Sequence, residues 1–229
     1  RRQRMTTDMT EPTAHPFNDV ITSGEAIYDL YRRPHAAIAG KKRVGIDEAS
    51  ARFVGMSPFV LVGTVGADGG VDVSPRGGDP GFVRIRRDAT GDYVLIPDLN
   101  GNHLLDSLQA IADNGRAGLL FTVPGNNETL RVNGAAWVVT DADVLELFTE
   151  FRRPTAAIAV RADEVFVHCA KAFRRGRVWD PESWADLTGS PDIAEIACAQ
   201  GLFGDVDPEL IRADLAQGYE ADLALDRPG

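Results

Sequence analysis

The sequence has few of the residues from which disulfide scaffolds, metal centres and nucleophilic sites are built. Its 229 residues include two cysteines and four histidines, and no histidine lies at metal-ligand spacing from a cysteine. Two cysteines argue against a disulfide framework and favour a reducing compartment. His168 and Cys169 are adjacent, so on a strand they would point to opposite faces, and we expect neither to be catalytic. We expect no metal site, and the sequence identifies no catalytic residue.

Long apolar runs and a surplus of positive charge are also missing. No run approaches the ~20 apolar residues that span a bilayer. The opening "RRQRMTTDMTEPTAHP" has charges but lacks the apolar core of a secretory signal. The net charge of -10 disfavours a nucleic-acid partner held by bulk electrostatics. We therefore expect a cytoplasmic protein with neither a membrane nor a nucleic-acid partner.

Strand-like segments fill the middle of the chain, from about residue 55 to residue 168. They are separated by turns rich in glycine, proline and asparagine. One clear helix interrupts them, with Asn102 as its predicted cap and Asn114-Gly115 at its end. Close strand spacing with one inserted helix predicts a mainly β fold with flanking helices, closed as a barrel rather than laid out as an open parallel sheet.

The two ends of the chain differ from this middle. Residues 1–18 are polar and contain proline, a composition typical of disorder. Residues 19–229 are expected to form a single domain with a helical C-terminal extension. Two late helices are indicated by Ser190-Pro191 and Asp207-Pro208, because proline is common in the first turn of a helix.

The segment "SPRGG" places one arginine at a strand end, between a serine-proline pair and two glycines. The Ser74 hydroxyl, the Arg76 guanidinium and glycines that allow close backbone approach together suit a phosphate. A polar turn with a solvated arginine would use the same residues. The pattern alone leaves both interpretations open.

The segment "LNGNH" carries Asn100 and Asn102 directly before the predicted central helix. The first amides of a helix are unpaired and favour an anion. Asparagine and glycine are also common caps, so a plain capping turn is the alternative.

Two further segments hold cations in unusual settings. Arg131 lies inside the apolar strand "TLRVNG" and faces away from its neighbours, and the alternative to a functional role is an outward, solvated side chain. The segment "KAFRRGRVW" gathers Lys171, Arg174 and Arg175 ahead of Trp179, a local reversal of sign in an acidic chain. Such a cluster suits a phosphate or carboxylate, with the indole packed on a flat ring. The alternative is a basic surface loop paired with acidic residues.

These four segments occur in an order that resembles the pyridoxamine 5'-phosphate oxidase-like, FMN-binding split-barrel superfamily. More narrowly, the chain looks like its subgroup of FMN-dependent enzymes with no assigned substrate. The resemblance covers most of residues 30–181 and is carried by "SPFVLVGTVGADGGVDVSPRGGDPGFVRI", "LIPDLNGNHLLDSLQAIADNGRAGLLF", "PGNNETLRVNGAA" and "HCAKAFRRGRVWDP".

The resemblance implies a six-stranded FMN-binding split β-barrel with peripheral helices, and a homodimer that holds FMN in the subunit interface. The positions that match contacts along the flavin and its phosphate are Ser74, Arg76, Asn100 and Asn102. Arg131 matches a polar strand position that approaches the flavin. The later basic stretch near the cofactor or substrate is matched by Lys171, Arg174, Arg175 and Trp179.

The chain departs from the vitamin oxidases of that superfamily in two places. Asparagine, glycine and histidine at residues 100–103 replace their basic pair, so Arg76, Lys171 or Arg174 would meet the phosphate charge. Their C-terminal arginine–histidine pattern is not reproduced either. The resemblance thus implies an FMN-dependent oxidoreductase acting on an unidentified small molecule. The alternatives are a non-catalytic flavin- or haem-binding protein and a deazaflavin-dependent reductase.

Overall fold

The computed structural model describes residues 16–204 and 206–228. Residues 1–15, most of the segment predicted to be disordered, lie outside the described residues. The chain divides into two compact units, Arg1–Lys41 and Lys42–Gly229. The first contains a 3-10 turn at Ala26–Asp29 and a short helix, α1 (Ala36–Ala39).

The second unit is built on antiparallel strands, as the sequence predicts. Its strands are β1 (Phe59–Val65), β2 (Val71–Gly77), β3 (Arg84–Asp88), β4 (Gly91–Pro97), β5 (Arg116–Thr122), β6 (Thr129–Val139), β7 (Ala157–Arg161) and β8 (Glu164–His168). Its helices are α2 (Glu48–Met56), α3 (Asp106–Asn114), α4 (Ala142–Leu145), α5 (Lys171–Gly176), α6 (Ile193–Ala199) and α7 (Pro208–Leu225), with a 3-10 turn at Pro181–Ser183.

The long strand β6 belongs to two sheets at once. Its first half, Thr129–Ala135, pairs with β5, and β8 lies against Thr129–Asn133 of the same half. Its second half, Ala136–Val139, pairs with β7. The strand order is β2-β1-β5-β6-β7-β4-β3, with β8 attached to β6. Sharing one strand between two sheets gives the split barrel that the sequence predicts.

A bulge between β7 and β8 lets both strands pair with β6. The register passes from Ala136 opposite Val160 to Asn133 opposite Glu164, so the β7–β8 side contains one extra residue. Asp163 fixes this bulge, because its carboxylate accepts a hydrogen bond from the Ala135 N–H at 3.0 Å and another from Arg161 Nε at 2.6 Å. The bond from Arg161 also lowers the pKa of Asp163, so the carboxylate stays charged.

The barrel therefore has eight strands rather than the six expected. The segment from Ala157 to His168 reads as one strand in the sequence, but the bulge at Ala162 and Asp163 divides it. The short strand β3 follows the Pro80-Gly81 turn and pairs with β4 as a separate hairpin.

The main core lies between the sheets and is closed by α2 and α3. Alternate residues of β1 and β5 point inward and are fully buried, as a half-buried strand requires. Val60 and Val62 pack there with Phe121, and Val54 of α2 and Ile111 of α3 close the cluster. Each such side chain contributes about 1.5–3 kcal/mol by leaving water. A second cluster joins the other face of β4 and β7 to α4.

The helices agree with the sequence at some ends and differ at others. The central helix α3 ends at Gly115 in the left-handed conformation (φ 68), as predicted. The last helix, α7, begins after Asp207 with Pro208 in its first turn, also as predicted. The helix α6 is capped by Asp192 rather than by Ser190. No helix within the described residues is both long and apolar enough to cross a membrane.

We predict that Gly134→Ala prevents the normal pairing of β6 with the bulge. A Cβ at Gly134 would overlap the carbonyl oxygen of Arg161, which is backbone and cannot move away alone. The expected loss is at least about 3 kcal/mol of unfolding free energy, measured by urea titration, because overpacking against backbone forces the strand to shift. Gly55→Ala in α2 is the control, because a Cβ there meets no atom within 4 Å. Equal stability of the two variants would show that the bulge is not fixed as described.

Candidate functional site

Two of the predicted site residues touch each other on the inner side of β2. Ser74 and Arg76 lie opposite Val62 and Val60, both fully buried, so they share the core-facing side of the sheet. The Arg76 guanidinium donates to Ser74 Oγ and, at 2.8 Å, to the carbonyl oxygen of Pro75. Because β2 is an edge strand, both side chains are only half covered. The strand thus presents a positioned guanidinium and a hydroxyl together.

Asp98 is the acidic neighbour of Arg76. It directly follows β4, and the partial burial of its carboxylate raises its pKa above the ordinary value. The charge of Arg76 lowers this pKa, that of Asp226 raises it, and that of His103 lowers it. The charges of Arg76, Asp226 and His103 therefore lie within electrostatic range of Asp98.

The Asn100 loop, defined as residues 99–104, directly follows Asp98 and contributes two hydrogen-bond donors. The Asn100 backbone N–H donates to Asp226 Oδ1 at 2.8 Å, and Asn100 Nδ2 donates to Asp222 Oδ1 at 2.7 Å. Both acceptors are carboxylate oxygens of the last turn or cap of α7. The loop therefore holds anionic oxygens in the structure, although they come from the chain itself.

The central helix begins later than the sequence predicts. α3 starts at Asp106, and its first residues have no side-chain cap. Asn102 Oδ1 instead accepts from the Leu104 N–H at 3.0 Å, and His103 adopts a left-handed conformation (φ 59). A local side-chain turn of this kind competes with the helix for the same amides. The interpretation of "LNGNH" as a helix N-terminus is therefore wrong, and the anion donors are those of Asn100 itself.

Arg131 lies on the opposite face of the same sheet. It pairs across the strands with Leu120 and Phe166, and Leu120 pairs with Leu61, whereas Ser74 pairs with Val62. Residues that pair directly share a face, so Arg131 points outward and Ser74 inward. Three strand spacings, about 14 Å, also separate β2 from β6. One chain cannot bring Arg131 and Arg76 to the same ligand.

Around Arg131 the outer face holds a cation–aromatic cluster. The Arg131 Cζ lies 5.7 Å from the ring centroid of Phe166, and the Lys42 Nζ lies 5.5 Å from it. Lys42 also forms an ion pair with Glu164 at 2.8 Å, and its hydrogen bond lowers the pKa of that carboxyl. The cluster is open to solvent at Arg131, whose side chain is exposed.

The basic segment after β8 forms the helix α5 and places its cations at the surface. Lys171, Arg174 and Arg175 are exposed. Trp179 is engaged elsewhere: its Nε1 donates to the Asn126 carbonyl oxygen at 2.7 Å, and its ring lies 5.7 Å from that of Phe173. The indole therefore ties α5 to the turn between β5 and β6. Its contact with a flavin or substrate stays a prediction.

Two surface cavities lie apart from all the predicted site residues. One, of about 160 Å³, has an apolar wall of Tyr93, Leu95 and Trp137. The other, of about 470 Å³, lies between the end of α3 and residues 136–138 of β6. Neither is lined by a residue that the sequence assigned to a cofactor.

The family model described as pyridoxamine 5'-phosphate oxidase matches residues 46–169, just over half of the chain. The chain belongs to the pyridoxamine 5'-phosphate oxidase family. The matched region includes β1 to β8, Ser74, Arg76, the Asn100 loop and Arg131, and it ends just before α5. No curated protein matches the chain significantly.

The chain is similar to several solved structures at low identity. HupZ of Group A Streptococcus is 18% identical, with a TM-score of 0.43 over 53% of this chain and 93% of its own. HutZ of Vibrio cholerae, a heme storage protein, is 14% identical, with a TM-score of 0.37 over 54% of this chain and 94% of its own. An FMN-binding protein of Syntrophomonas wolfei is 9% identical, with a TM-score of 0.37 over 52% of this chain and 84% of its own.

The donors of β2 and of the Asn100 loop are of the chemical kind that binds a phosphate, such as that of FMN. A guanidinium, a serine hydroxyl and two N–H groups of Asn100 are groups that bind phosphate oxygens. Both N–H groups of Asn100 already donate to carboxylate oxygens of α7, so a phosphate would have to replace those oxygens. The nearby carboxylate of Asp98 reduces the positive charge available.

Sequence reasoning missed the acidic members of this site. Asp98 follows a strand, and Asp222 and Asp226 are four residues apart, which places them on one face of a helix. That spacing was a usable signal, but on an acidic chain it equally indicates a solvated surface.

We predict that Asp98→Asn stabilises the protein at neutral pH. The pKa of Asp98 is raised, so the contribution of this group to stability is full below its unfolded pKa and is lost as pH rises through its folded pKa. An asparagine at residue 98 has no charge to bury, so the variant does not lose this stability at neutral pH. The urea midpoint should rise at pH 7, and the difference from wild type should disappear in acid. Asp214→Asn, at an exposed position of α7, is the control. An unchanged urea midpoint for Asp98→Asn at pH 7 would contradict the view that burial of the Asp98 charge costs stability.

Proposed function

We propose that this protein is an FMN-dependent oxidoreductase that acts on a small molecule. The observation that carries the proposal is family membership over a region that contains the Arg76–Ser74 pair and the Asn100 donors. Both described cysteines are free thiols, which agrees with the proposed cytoplasmic location.

The phosphate end of the cofactor is assigned to β2 and the Asn100 loop. Arg76 would form charge-assisted hydrogen bonds with phosphate oxygens, and its contact with Ser74 already fixes the direction of its guanidinium. Asn100 and Asn102 belong to the same loop and would orient the rest of the phosphate group. Lys171, Arg174 and Arg175 lie beyond the matched region and are proposed to attract an anionic cofactor or substrate.

A bound FMN supplies hydride chemistry, and the protein supplies binding, orientation and electrostatics. Arg131 is proposed to stabilise negative charge on the flavin ring, because it is an exposed cation beside Phe166 on a mainly apolar sheet face. It lies on the opposite face from Arg76, so it would act on a flavin held mainly by a second copy of the chain.

The outer face of β1 and β2 supports a homodimer. Val71 is 77% exposed and Val73 58% exposed, and they continue into exposed Phe59 and Val65 and half-buried Leu61. A contiguous apolar patch on a sheet is typical of a protein–protein interface. Pairing two such faces would bring the Arg131 of one copy towards the β2 edge of the other.

Arg76→Ala should weaken FMN binding by about tenfold or more, because a charge-assisted hydrogen bond to phosphate contributes about 1.5–3 kcal/mol. The measurement is the quenching of FMN fluorescence during titration with protein. Arg86→Ala is the matched control, since Arg86 lines the separate cavity beside Tyr93. Wild-type affinity in Arg76→Ala would show that the phosphate lies elsewhere.

Val73→Asp should convert the dimer to a monomer, because a carboxylate would be buried without a partner in the interface. The dissociation constant is expected to rise at least about tenfold, measured by analytical ultracentrifugation. Leu210→Asp is the control, since Leu210 is 66% exposed on α7, away from the sheet. A monomeric wild type, or a dimer unchanged by the substitution, would contradict the proposed interface.

A further inference from the structure

The last helix ends on the loop that the proposed function assigns to the cofactor phosphate. Asp222 and Asp226 accept the two hydrogen bonds of Asn100, and Asp226 also raises the pKa of Asp98 beside Arg76. The carbonyl oxygen of Asp226 accepts a further bond from the Arg152 N–H at 2.7 Å. Carboxylate oxygens thus occupy donors that suit phosphate oxygens.

We propose that α7 is an autoinhibitory strap whose Asp222 and Asp226 carboxylates take the place of the FMN phosphate at the Asn100 loop. The proposal rests on the assignment of the phosphate to this loop. Phosphate and strap exclude each other for two reasons. They need the same N–H donors, and a phosphate added beside Asp98, Asp222 and Asp226 would be repelled by like charges.

Helix α7 is packed firmly near its start and only weakly near its end. Near its start, Ile211 is buried and Arg212 forms an ion pair with Asp192 at the beginning of α6. Near its end, Tyr219 is 51% exposed and Leu223 is 58% exposed, so little apolar surface holds the last turns in place. The hydrogen bonds of the Asn100 loop and of Arg152 therefore carry much of the docking.

The helix dipole also favours release at this end. The last turn of α7 contains no basic residue, and its carboxylates lie at the negative end of an 18-residue helix. The two N–H donors of Asn100 and the N–H of Arg152 offset part of that repulsion. A ligand whose anionic group binds the Asn100 donors and also pairs with Arg76 would displace the end of α7. The start of α7 would stay in place.

The test is the double substitution Asp222→Asn/Asp226→Asn in the full chain, which keeps the shape of both side chains and removes their charge. FMN affinity should rise at least about fivefold, the lower end of the usual coupling between competing ligands. The control is Asp214→Asn/Glu220→Gln, which removes two exposed charges from the same helix. Its FMN affinity should stay within about twofold of wild type.

Amide hydrogen exchange without ligand provides a second readout. Exchange at residues 99–104 should become faster in Asp222→Asn/Asp226→Asn and not in the control, because the Asn100 N–H loses its charged acceptor. FMN binding with equal affinity in all three proteins would overturn the strap and leave the cofactor proposal standing. FMN binding by none of them would overturn the cofactor proposal. That result would overturn the strap as well, because the strap is defined by its competition with FMN, and exchange at residues 99–104 would then report only the docking of α7 on Asn100.

Discussion

The architecture depends on the close approach of the β7–β8 bulge to β6. Gly134 leaves room for the carbonyl oxygen of Arg161, and Asp163 bonds the neighbouring Ala135 N–H. Through this contact β6 pairs with β7 in one half and with β8 in the other. The two sheets of the barrel then close around the main core, and the edge strand β2 is left with one face partly inside and one face in solvent.

The inward and outward faces of this sheet carry different parts of the candidate site. The inward side of β2 carries Arg76, whose charge acts on Asp98 just before the Asn100 loop. The outward side of the same sheet is apolar and carries Arg131. A flavin that used both arginines would have to lie between two copies of the chain, so the proposed cofactor site and the proposed dimer follow from the same strand register.

Much of this could be predicted from sequence, because alternation and turn residues are local signals. The β-rich middle, the end of α3 at Gly115 and the adjacency of Ser74 and Arg76 are all of this kind. The start of α3 could not be predicted, since the Asn102 side chain and the left-handed His103 compete with helix formation. The docking of Asp222 and Asp226 on Asn100 spans more than 120 residues and leaves no local pattern.

The central claim is that the second unit binds FMN through its phosphate. The most direct measurement is a titration of the purified protein with FMN, riboflavin and haemin, followed by visible difference spectra. The account predicts that FMN saturates at one molecule per chain, and that riboflavin, which lacks the phosphate, binds at least about tenfold more weakly. Equal affinity for FMN and riboflavin, or a spectral change with haemin alone, would contradict it.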